Sequence, residues 1–68
     1  MDMLEQLKNA VESYGEVMVR TDSGEERELH KHNSDFHEDK GVIEVDADDK
    51  IHWLVAEKVE RYYIHKDF

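Results

Sequence analysis

Gly15-Glu16-Val17-Met18-Val19-Arg20-Thr21-Asp22-Ser23-Gly24 is the stretch on which the fold turns. Before it, Leu4, Leu7, Val11 and Tyr14 recur at intervals of three and four, with Met3 and Ala10 alongside, so they share one stripe of a helix. After Gly15 the period drops to two: Val17, Val19 and Thr21 alternate with Glu16, Met18 and Arg20, the pattern of a strand with one buried face. Asp2 and Glu5 have the D-x-x-E spacing of a capping box, and a glycine at 15 suits a helix C-cap. A helix over residues 1–14 is expected, its stripe facing either the core or a partner.

Downstream, Asp22-Ser23-Gly24 supplies turn chemistry ahead of Glu25-Glu26-Arg27-Glu28-Leu29-His30-Lys31-His32, completing a hairpin. Residues 33–41 read as a polar loop that tucks Phe36 beneath itself. Val42–Ala47 and Lys50–Val55 form a second hairpin around Asp48-Asp49, in which Ile43 and Val45 are expected to face Ile51 and Trp53. Residues 56–66 suit one helical turn entering a last strand, because Tyr62, Tyr63 and Ile64 favour strands; a single helix over 53–66 is the competing pattern.

The chain is therefore read as one α+β domain, 1–68, with an N-terminal helix (1–14) followed by a four- to five-stranded antiparallel meander (16–66). A strongly bent sheet, or a small barrel with the helix over one opening, would bury all the apolar faces at once. In order of elements this architecture resembles the SH3-like and Sm-like small barrels, a resemblance that implies a fold and no activity.

Eighteen acidic and nine basic residues give a net charge of -9. The acidity is spread along the chain, with 8 acidic and 4 basic residues in 1–34, and 10 and 5 in 35–68. Such a surface repels nucleic acid and anionic lipid, so a nucleic-acid-binding barrel ranks third among the functional readings. Basic protein partners are favoured instead. A 68-residue chain has room for a single small core, and with no cysteine it has neither a disulfide nor a thiolate metal site to reinforce it. Self-association would offset that shortage. Acid at positions 2 and 5, where a secretory signal carries Lys or Arg, and the lack of an apolar run of about 20 residues set the expectation of a cytoplasmic protein with no membrane segment.

Among chemistry-bearing residues the five histidines stand out. His30 and His32, two apart on a strand, would point outward together with Glu28 while Leu29 points inward. With His37, or Asp35, from the following loop they would make a site for zinc or another divalent transition metal, nickel or copper. His52 and His65 are expected on the surface. The acidic run Glu44-Val45-Asp46-Ala47-Asp48-Asp49 does not make a calcium loop, since Lys50 and Ile51 stand where an oxygen ligand and a glycine are needed. Glycines at 15, 24 and 41 are too scattered to cradle phosphate, and a chain this short has little room for a substrate pocket, so no enzyme is expected.

The C-terminal half is aromatic, with Trp53, Tyr62, Tyr63 and Phe68. Trp53 and one tyrosine are expected in the core. Adjacent Tyr62 and Tyr63 must point opposite ways on a strand, so one emerges beside Arg61 and His65, the composition of an interface hot spot. Arg61, Tyr62, Tyr63 and His65 are thus the candidate partner-binding residues of a non-catalytic interaction module, its partner a basic protein or a second copy in a homodimer. A histidine-based metal-binding or pH-responsive protein is the next alternative.

Overall fold

The computed structural model describes residues 2–66; Phe68, counted above with the aromatic tail, lies outside the described residues. Helix α1 (Met3–Tyr14) starts at Asp2, whose carboxylate accepts the Glu5 N–H at 2.9 Å. It stops at Gly15, which takes the left-handed conformation (φ 86°) that residues with a side chain resist, and whose N–H caps Val11 O. Leu4, Leu7 and Val11 are buried, but Tyr14, the last of the expected stripe, stays exposed.

Six antiparallel strands follow: β1 (Glu16–Thr21), β2 (Glu26–His30), β3 (Ser34–His37), β4 (Val42–Asp46), β5 (Ile51–Val55) and β6 (Val59–Tyr63), with the 3-10 turn η1 (Ala56–Lys58) before β6. They form two three-stranded sheets, ordered β2-β1-β6 and β3-β4-β5. The sheets share one buried core, to which the first gives Val17, Val19 and Leu29 and the second Ile43, Val45 and Leu54; Asp46 N–H to Asn33 O and Asp22 N–H to Lys58 O, each at 2.8 Å, extend the β3–β4 and β1–β6 ladders. The sixth strand is β3, in the segment expected to be a loop. Its alternation is masked in sequence because Phe36, set against Ile43, is the one large apolar residue on its inner face. The tail adopts the expected helical turn and strand.

Leu7, Val17, Val19, Leu29 and Ile43 are fully buried and make the centre of the core, with Phe36, Tyr62 and Ile64 packed around it. Beyond the core, Lys8 Nζ reaches Glu38 Oε1 at 2.8 Å and ties α1 to the β3–β4 turn. That carboxylate raises the Lys8 ammonium above its ordinary 10.5. The pair's contribution is full below the ordinary value and lost as pH climbs through the raised one, and exposure keeps it small.

Two features of parity decide which residues see this core. The turn at Asp48 and Asp49 has two residues and is closed by Ala47 N–H to Lys50 O at 2.9 Å. A two-residue turn sets an odd-numbered residue opposite an even-numbered one, so Ile43 faces Leu54 and Val45 faces His52. The expected facing of Ile43 and Val45 with Ile51 and Trp53 is therefore overturned. Leu54 is buried and His52 lies on the inner face, while Trp53 is turned outward. The second feature is a bulge in β6: Arg20 pairs with Arg61 but Thr21 pairs with Val59. The extra residue lets both Val59 and Tyr62, three apart, face the core.

Leu7→Ala should lower stability by about 3 kcal/mol, a large share of what so small a core provides, whereas Tyr14→Ala at the exposed end of the same stripe should stay within roughly 0.5 kcal/mol. Urea denaturation followed by circular dichroism checks both, and similar losses at the two positions would contradict this helix orientation.

Candidate functional site

The seven residues singled out by type do not form one site. Leu29 points into the core, and His30, with Glu28, points out. His30 Nε2–H donates to Glu28 Oε1 at 2.8 Å, and its ring lies 5.3 Å from that of His32 in the turn after β2. Both line an open cleft of about 780 Å³ with Glu28, Asp46 and Asp48. His37 is elsewhere. It ends β3, roughly 13 Å of extended chain from Asn33 beside that cleft, and its Nε2–H donates to Glu44 Oε1 at 3.2 Å, with Asp35 at 3.7 Å. The structure thus brings His30 and His32 together and leaves His37 apart. Among the described residues no three His, Asp or Glu side chains are grouped to hold a metal ion.

On the outer face of the β2-β1-β6 sheet, Arg61, Tyr63 and His65 do cluster. The Arg61 guanidinium lies 5.4 Å from the centre of the Tyr63 ring, and the His65 ring meets that ring edge-on at 6.0 Å. Tyr63 Oη–H donates to Glu26 Oε1 at 3.3 Å. Beside them Arg20 Nε sits 3.5 Å from Glu60 Oε1. Tyr62 is on the other side of the strand, its hydroxyl donating to Gln6 Oε1 of α1 at 2.9 Å. The expected opposition of the two tyrosines therefore holds, and the outward one already has partners within its own chain.

A further surface lies outside the expected binding residues. Trp53 is 63% exposed, Ile51 47% and Val55 44%. All three lie on the outer face of β5, which is the last strand of its sheet. Half-buried Val42, opposite Val55, widens the apolar stripe, and Glu44 and Asp46, opposite Trp53 and Ile51, border it with acid. Burying Ile51, Trp53 and Val55 and exposing His52 and Leu54 would remove more apolar surface from water, yet the register does the reverse. Exposed apolar side chains in a row of this kind make the outer face of β5 a candidate interaction surface. Assigning Trp53 to the core on residue type alone hides the site; the signal that reveals it is the length of the Asp48-Asp49 turn.

Comparison with protein-family models, with curated proteins and with solved structures found no match.

Trp53 is the chain's single tryptophan, so its fluorescence reads this surface directly. In dilute solution it should emit as a hydrated indole and be quenched by acrylamide nearly as fast as the free amino acid. A shielded, blue-shifted emission from the monomer would show that the outer face of β5 is wrongly assigned.

Proposed function

We propose that this chain is a non-catalytic protein-interaction module that binds an extended protein segment along the open edge of β5. The observation that carries this reading is the row Ile51, Trp53 and Val55, exposed side by side on a strand with no further strand beyond it among the described residues. A strand added to such an edge gains main-chain hydrogen bonds along its length, while its alternate side chains meet the apolar row. A partly exposed tryptophan at the middle of that row is the residue type that most often dominates binding energy.

The two sheets read as halves of a small barrel of the SH3-like or Sm-like kind, with β2 leading into β3 through residues 31–33 and one buried core shared between the halves. In that architecture β5 and β6 border the opening, which leaves a strand edge free for a partner. The excess of acid keeps the module off nucleic acid and suits work in the cytoplasm among proteins.

A photo-crosslinking amino acid placed at Ile51 in intact cells should form a discrete adduct, with a second copy or with another protein. The adduct should disappear when Trp53→Glu is added. The same probe at His65 should form it poorly. Equal labelling from both positions, or none from position 51, would refute β5 as the binding edge.

A further inference from the structure

We propose that β5 pairs with β5 of a second copy of this chain, antiparallel about a two-fold axis through Trp53. This rests on β5 being the binding edge and names its occupant. Two backbone hydrogen bonds bracket the β4–β5 ladder, Ala47 N–H to Lys50 O at 2.9 Å and Ala56 N–H to Gly41 O at 3.0 Å. Hydrogen-bonded and non-bonded pairs alternate along an antiparallel ladder. His52 and Leu54 therefore turn their N–H and C=O toward β4, and Ile51, Trp53 and Val55 turn theirs to the open side. The residues with exposed side chains are the same ones whose main chain faces outward.

About an axis through Trp53, that strand is complementary to itself. Trp53 meets Trp53 of the second copy, and Ile51 meets Val55 of the second copy, on both sides of the axis. Each of these pairs is of the hydrogen-bonded kind, so both backbone bonds are exchanged at every one, and apolar side chain meets apolar side chain throughout. An isologous pairing of this sort consumes the β5 edge of both copies and closes.

Nothing within β5 guards against it. Edge strands are usually kept apart by a charge, a proline or a bulge. Ile51-His52-Trp53-Leu54-Val55 has no charged residue and no proline in a chain that is 40% charged, and it pairs with β4 without a bulge. The net charge of -9, with Asp49 and Glu57 flanking β5, keeps the contact weak. The acidic row of Glu44 and Asp46 lies one strand inward, so the two rows in the paired copies stand three strand spacings apart, about 14 Å, beyond the ~8 Å over which physiological salt screens exposed charges. One pair of strands buries less than the roughly 800 Å² per partner of a standard interface, which sets the association in a weak, micromolar regime.

Sedimentation over a range of concentrations should show a monomer–dimer equilibrium accompanied by a blue shift of Trp53 emission. Trp53→Glu, at an exposed position, should keep the circular dichroism spectrum and weaken dimerisation at least ~30-fold. The register is tested with cysteines, of which the chain has none. Opposed residues of a bonded pair have Cα atoms about 5.5 Å apart, within disulfide range, whereas Ile51 and its own counterpart would be roughly 13 Å apart along the strand. A mixture of Ile51→Cys and Val55→Cys proteins should oxidise to a covalent dimer much faster than either variant alone. Equally fast oxidation of the single variants, or a monomer at millimolar concentration, overturns the pairing. A monomer whose position-51 probe still captures another protein removes self-pairing alone; a monomer with no adduct removes the binding edge as well.

Discussion

A strand can offer only one of its two faces to a core, and in an antiparallel hairpin the length of the turn decides which. In this molecule that constraint acts twice with opposite results. At Asp48 and Asp49 the two-residue turn commits β5 to burying Leu54 and leaves Ile51, Trp53 and Val55 in water. In β6 an additional residue breaks the alternation, so Val59 and Tyr62 both reach the core. The candidate binding surface and the closing of the core are two consequences of the same rule.

The sequence made the order of elements legible because helix and strand periods differ so clearly on either side of Gly15. Asp2, Gly15 and the Asp22-Ser23-Gly24 turn carried their local chemistry openly. β3 escaped because four residues with one large apolar side chain give too short a pattern to separate from a loop. Trp53 escaped for another reason. Residue type says that a tryptophan belongs inside, and turn parity says that this one does not; parity wins because Ile43 and Val45 are already committed to the core and fix what stands opposite them. The tyrosine pair was readable for the converse reason, since adjacency alone forces the two rings apart.

The two outer sheet faces differ in how far each satisfies itself. On the β2-β1-β6 face, cation, ring and carboxylate meet within the chain: Arg61 with Tyr63, Tyr63 with Glu26, Arg20 with Glu60. On the β3-β4-β5 face the polar residues Asp35, His37 and Glu44 bond among themselves at one side, leaving the apolar row beside them with only solvent. Chemical variety drew attention to the first face, while the second holds the larger unspent driving force. Charge, the most conspicuous property of the composition, acts mainly as a border that restricts what can approach.

The bond from Tyr62 to Gln6 spans 56 residues of sequence. Together with the pairing of β1 and β6, it makes the last strand the latch on the first helix. Contacts of such long range form late, after the entropy of closing the intervening chain has been met. α1 and the first hairpin can pack on each other early, but the β1 edge and the part of α1 that Tyr62 reaches stay open until nearly the whole domain has been made.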